Sequence, residues 1–213
     1  MRVDYALTMK EVERALAEIH SIRHQLARGT QFRGYGPASI AFSGFLALLV
    51  AWAQVEWGGW ARNDVTANLV IWICVAAVSM GVSGIETFAR ARRVHAGLTQ
   101  EMLQSAVEQI VPALVIGVLF TAVLLRFAPG DCWLLPGIWE LIFSLGIFAS
   151  CRFLPKQMFA VGVWYLVAGL GSVMVASYSR VFLPWTMGIP FGIGQLLIAA
   201  VLVLCSEDHN EED

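Results

Sequence analysis

Five stretches of the chain carry no Asp, Glu, Lys or Arg: residues 34–55, 65–85, 109–125, 157–179 and 181–206. A helix crosses about 30 Å of hydrocarbon with roughly 20 mainly apolar residues, and about 17 is the lower limit. Each stretch is therefore long enough to span a bilayer. A sixth, residues 132–151, is interrupted only by Glu140. The pattern predicts an all-α, polytopic membrane helix bundle of about six transmembrane helices, near 36–55, 66–86, 108–126, 133–151, 157–178 and 184–205, in a domain covering 34–206. The connections near 56–66, 127–131, 152–156 and 179–183 are short, which suits antiparallel neighbours. Only the connection near 87–107 is predicted to be a loop of any length.

Ahead of this domain, residues 1–33 follow a different rule. Thr8 with Glu11 three positions later reads as a capping box, and Gly29 closes the segment. Between them Met9, Val12, Leu16, Ile19, Ile22 and Leu26 repeat at the three-and-four spacing of one helix face. The expectation is a cytoplasmic amphipathic helix over 9–28. Its apolar face buries itself on the membrane interface, on the protein's own loops, or on another membrane or cytoplasmic protein, with Val12, Leu16, Ile19 and Leu26 as the contact residues. A heptad reading would need Arg23 in the core and lasts under three repeats, which argues against a self-sufficient coiled coil. His20 and His24 stand one helical turn apart, a spacing that can share a metal ion. No further Cys, Asp or His sits at a matching offset, so no metal site is predicted.

Composition agrees with a lipid environment. Hydrophobic residues make up 58% of the chain and charged residues 14%, where a soluble domain has about a quarter charged. Orientation follows from Lys and Arg, which are retained on the cytoplasmic side. With the N-terminus inside, eleven of the fourteen fall on that side, and only Arg62, Arg126 and Arg180 fall outside. Both termini are thus expected in the cytoplasm, with residues 207–213 as an acidic tail. The first 30 residues lack the apolar core of a signal peptide. The net charge of −2 gives no nucleic-acid signal. Cys132 is the one cysteine expected on the outer side, so no internal disulfide is predicted.

Ionisable groups inside a span are costly and are functional candidates by default. Glu140 is the clearest, about 9 Å inside the outer end of the fourth span by helical rise. Arg126 ends the preceding span in the same hairpin and is the predicted ion-pair partner. Residues 137–142 (Gly-Ile-Trp-Glu-Leu-Ile) also align with 192–197 (Gly-Ile-Gly-Gln-Leu-Leu), which matches Glu140 to Gln195. Pro136 and Pro190 precede the two segments, and a proline inside a helix frees a backbone carbonyl. Glu140, Gln195 and Arg126 are accordingly the candidate ligand-binding residues. Small residues at four-residue spacing, Gly188 with Gly192 and Ala77 with Gly81, read as helix-packing positions. Trp57, Trp60, Trp133, Trp139 and Trp185 read as an aromatic belt at the outer boundary.

None of the four histidines lies in a span, which argues against an intramembrane haem. No phosphate-binding loop, nucleophile elbow, zinc helix or Cys-x-x-Cys pair occurs. No catalytic residues and no cofactor are predicted, and an enzyme is not the expectation.

Three segments carry a resemblance. They are residues 19–23 (Ile-His-Ser-Ile-Arg) leading into 32–35 (Phe-Arg-Gly-Tyr), residues 135–139 (Leu-Pro-Gly-Ile-Trp) continuing to 148–155, and residues 191–196 (Phe-Gly-Ile-Gly-Gln-Leu). Together they resemble six-helix proteins of the bacterial inner membrane. The resemblance implies that location and brings no chemistry with it.

The expected function is therefore that of a non-enzymatic scaffold, regulatory or accessory subunit, in contact with the bilayer and with another protein through 9–28. The alternative is a small transporter or ligand-binding membrane protein with a cavity between the fourth and sixth spans. A third reading, an enzyme acting on lipid headgroups through Glu86, Glu108 and the Arg90 to Arg93 cluster, lacks an Asp-rich motif to hold a metal.

Overall fold

The computed structural model describes residues 36–57, 64–93, 96–151 and 155–208. The amphipathic segment 9–28 and the end of the acidic tail lie outside them. Among the described residues the chain is all helical: α1 (Pro37–Trp57), α2 (Val65–Arg93), α3 (Ala96–Phe127), a 3-10 turn (Pro129–Leu134), α4 (Leu135–Ser150), α5 (Met158–Ser179) and α6 (Trp185–Asp208).

Five of these helical segments are long and apolar enough to cross a membrane, the fourth span being the 3-10 turn and α4 together. The described apolar part of α3, Val111–Phe127, is shorter, although the helix itself extends 32 residues. The connection predicted near 87–107 is mostly helix, because α2 runs on to Arg93 and α3 begins at Ala96. Its Ala, Leu, Met, Glu and Gln are strong helix formers. A charge ends an apolar run, but it does not end a helix.

Local chemistry sets several boundaries. Asp64 precedes α2, and its Oδ1 accepts the N–H groups of Thr66 at 2.9 Å and Ala67 at 3.3 Å, the arrangement of an N-cap carboxylate. Pro37 starts α1, where a missing N–H costs nothing. At the end of α5, Arg180 adopts the left-handed conformation (φ 50°, ψ 33°) and its N–H closes on the Ala176 carbonyl. A residue with a side chain is strained there.

The helices pair unevenly. The closest partners are α1 with α6 and α4 with α5. These pairs join through α5 and α6, while α2 lies on α1 and α3 on α4. Glycine permits both close pairings. A methyl added at Gly137 would lie 2.7 Å from the Gly169 carbonyl oxygen, and one at Gly169 would lie 3.0 Å from that of Gly137. On the other pair, a methyl at Gly44 would lie 2.8 Å from the Gly192 carbonyl oxygen. Lipid is as apolar as leucine, so helices in a membrane associate by such close packing rather than by hydrophobic force.

Two apolar clusters fill the bundle. One joins Ala47, Ala51, Leu69, Trp72, Leu135 and Phe182, and the other joins Ile40, Ile147, Val161, Tyr165, Ala199 and Leu202. Between them the rings of Phe143, Tyr165 and Phe191 form a triangle with centroids 4.7–5.7 Å apart. It is the spacing at which tilted aromatic pairs attract.

We predict that Gly169→Leu destabilises the bundle by about 1–3 kcal/mol, the usual cost of overpacking. Gly117→Leu, at a position with nothing within 4 Å, should be near neutral. Unfolding of both variants in a detergent–denaturant titration checks the contrast, and equal effects would refute the packing argument.

Candidate functional site

Glu140 is fully buried, with 0% of its surface exposed. It sits on α4 between Leu135 of one apolar cluster and Ile147 of the other. Its hydrogen-bond partner is Ser172 of α5, whose Oγ lies 3.1 Å from Oε2 and 3.3 Å from Oε1. The same Oγ lies 3.2 Å from the backbone carbonyl oxygen of Thr186 on α6. One serine hydroxyl thus stands between a carboxyl group and a backbone carbonyl on two other helices.

That carbonyl is available for a reason visible in the sequence. Within a helix, the Thr186 oxygen would accept the N–H of the residue four positions on, and that residue is Pro190, which has none. A buried carbonyl without a partner is expensive, and Ser172 is placed to supply one. One turn further along, the Trp164 Nε1–H donates to the Pro190 carbonyl oxygen at 3.1 Å, a second polar tie between α5 and α6.

Tyr165 belongs to the same neighbourhood. It is 0% exposed, and its hydroxyl has no hydrogen-bond partner. Glu140 lies within electrostatic reach of the phenol, and the Gln195 side chain lies beside it outside hydrogen-bond geometry. Gln195 itself is half-buried, with its Cβ against Gly44 of α1. The structure therefore brings two of the three candidate residues, Glu140 and Gln195, into the neighbourhood of Tyr165.

Arg126 is placed elsewhere. It is exposed, and its guanidinium carbon stands 5.7 Å from the centre of the Phe127 ring, within the range of a cation–π contact. The group that meets Glu140 is a neutral hydroxyl, not the guanidinium expected from the hairpin. Ser172, Thr186 and Tyr165 are residues that sequence reasoning missed. Pro190 was the one available signal, because it marks Thr186 as the residue whose carbonyl must look outside its helix.

A second buried polar contact joins α1 to α2. The Gln54 Nε2–H donates to Asn68 Oδ1 at 2.9 Å, and Gln54 Oε1 has no partner. Beside Asn68 opens a recess lined by Trp133, Arg180 and Phe182. On α3 and α4, the Trp139 Nε1–H donates to Thr121 Oγ1 at 3.0 Å, so this belt tryptophan is also a packing residue.

Of the carboxylates near the end of α2, Glu86 is half-buried, and a side chain at Gly36 would run into its carboxyl group. The side chains of Glu108, Arg90, Arg92 and Arg93 lie outside the described residues.

The outer faces differ sharply between the two halves of the bundle. Only 17% of the α2 span is buried within the protein, against 33–39% for the other four spans. Cys74, Ala77, Gly81, Gly84 and Phe88 are all exposed and follow one another at three-and-four spacing along one face. At Gly81 and Gly84 no side chain or neighbouring helix among the described residues lies within 4 Å of where a side chain would begin.

The fold and these contacts define an integral membrane helical bundle with a buried carboxyl group where α4, α5 and α6 meet. The chain matches no family model, no curated protein and no solved structure.

We predict that Asn68→Leu costs about 1 kcal/mol or somewhat more, because it leaves the Gln54 amide buried without its acceptor. The double variant Gln54→Leu with Asn68→Leu should recover part of that loss. A double-mutant cycle on thermal unfolding measures the coupling, and simple additivity of the two substitutions would contradict the contact.

Proposed function

We propose that this chain is a non-enzymatic scaffold or accessory subunit of the bacterial inner membrane, with both termini in the cytoplasm. It engages a partner membrane protein through the exposed face of α2. The observation that supports this reading is the contrast between glycines. Those of α1, α4 and α6 at Gly44, Gly137 and Gly192 are filled by neighbouring helices, whereas at Gly81 and Gly84, in the small-residue row, no side chain or other helix among the described residues comes within 4 Å. In a membrane such a row lets a second helix approach closely. The amphipathic segment 9–28, with Val12, Leu16, Ile19 and Leu26, supplies a cytoplasmic contact to the same partner.

The alternative of a ligand cavity between α4 and α6 has less support, because Phe143, Tyr165 and Phe191 bring their rings together between those helices.

Gly81→Leu should leave the chain folded and reduce recovery of co-purifying membrane protein by about tenfold or more, since blocking a close helix contact costs more than about 1.4 kcal/mol. Removal of residues 1–29 should weaken the same association. Cysteine-specific cross-linking from Cys74 identifies what lies against the row. A product with a second copy of this chain would turn the reading into self-association. No protein product, together with unchanged recovery for Gly81→Leu, would leave only lipid there and refute the proposal.

A further inference from the structure

The junction of α4, α5 and α6 holds more acceptors than hydrogens. Ser172 Oγ lies 3.1 and 3.3 Å from the two Glu140 oxygens and 3.2 Å from the Thr186 carbonyl oxygen, and a serine hydroxyl carries one hydrogen. With a charged Glu140, that hydrogen turns to the carboxylate, and the Thr186 carbonyl, already deprived of an N–H by Pro190, has no donor from Ser172. With a proton on Glu140, the carboxyl O–H donates to Ser172 Oγ, the serine hydrogen turns to Thr186, and the Thr186 carbonyl gains its donor. The same heavy-atom positions serve both arrangements, and the two differ by one proton.

We propose that Glu140 is a proton-binding site whose proton decides whether Ser172 ties α5 to the broken turn of α6. The ligand is the proton itself, and the residue that passes on its presence is Ser172. The response is in the attachment of α6 at Thr186.

The surroundings suit this role. On α5, Tyr165 and Ser172 face the junction, and the Tyr165 hydroxyl is fully buried without a partner. It is thus a second polar group held at the same place. On α6, Thr186 and Gln195 are the polar residues near it, and the span Trp185–Leu204 carries no acidic, basic or histidine residue. On α3, Arg126 is exposed over Phe127. In the 3-10 turn, Asp131 is exposed and the Cys132 thiol is buried. Glu140 is the one acidic or basic residue in α4. Its charge state is therefore met by hydroxyls and amides rather than by a fixed cation. The inference does not depend on what binds α2.

The test uses the full chain in nanodiscs. Infrared difference spectra across about pH 5 to pH 9 should show a carboxylic-acid carbonyl band that titrates in the wild type. It should be missing in Glu140→Gln, whose amide donates permanently to Ser172 as the protonated acid does. The ratio of wild-type to Glu140→Gln unfolding constants should change with pH by on the order of tenfold, the equivalent of one pH unit of linkage. Ser172→Ala should keep a titrating band but shift its frequency. Should Glu140→Gln fail to fold, the titrating band of the wild type and its frequency shift in Ser172→Ala decide the matter alone. A Glu140-dependent band that stays constant with pH, whether present or absent, overturns the proposal. So does an unfolding-constant ratio that does not move.

Discussion

The close approach of α4 and α5 at Gly137 and Gly169 is the contact on which the polar centre depends. Each glycine stands where a side chain would meet the other helix's backbone oxygen at 3.0 Å or less. Three residues further along each helix come Glu140 and Ser172. Serine has the shortest hydroxyl side chain, and it reaches a neighbouring helix only where the two backbones are nearly in contact. Moving the helices apart by the width of a leucine would take Ser172 beyond hydrogen-bond range of Glu140 and leave a carboxyl group in an apolar interior with nothing to meet it. Packing and chemistry are therefore one constraint, and the face of α5 that carries Tyr165, Gly169, Ser172 and Ala176 serves both.

A similar dependence runs from α5 to α6. Pro190 removes one intrahelical hydrogen bond and so creates an acceptor at Thr186, which a helix in lipid cannot satisfy with water. The acceptor falls on Ser172, and the Pro190 carbonyl one turn on accepts from Trp164, so the broken turn of α6 becomes a site of attachment to α5. Proline in a membrane helix is tolerated where a neighbouring side chain takes up the freed group. Here the neighbour is itself shared with a carboxyl group. That sharing makes the local hydrogen-bond pattern depend on a proton, whereas a valine or alanine at position 172 would have left two independent defects.

Much of this architecture was legible in the sequence, and the reasons are particular. The spans could be placed because charge is excluded from hydrocarbon, so charge-free runs measure the bilayer. Their extensions could not, since the cytoplasmic-type residues that end an apolar run, such as Ala89 to Arg93, continue a helix without interruption. Glu140 stood out as a lone carboxylate in a span, and Pro190 as a helix breaker. Their connection was hidden because it passes through Ser172, a neutral residue with no signal until the register of α5 on α4 is known. Arg126 looked like the partner by proximity along the chain. A long cationic side chain at a helix end gains more from remaining exposed over Phe127 than from entering the bundle. The match of Glu140 to Gln195 carried no sign of Tyr165, the residue on which both act.

The bundle is thus divided by packing. In α1, α4, α5 and α6 the small residues are matched to neighbours and the buried polar groups are largely linked. Among the described residues of α2 and α3 many large apolar side chains are exposed, and Gly81, Gly84 and Gly117 have no side chain or other helix within 4 Å. This edge is tied to the rest by Leu69, Trp72 and Leu124 in the apolar core and by two polar contacts, Gln54 with Asn68 and Trp139 with Thr121, and membrane hydrogen bonds contribute about 0.6 kcal/mol each on average. The centre of the protein is where position is most tightly specified, and α2, the least buried of the five spans, lies at its edge.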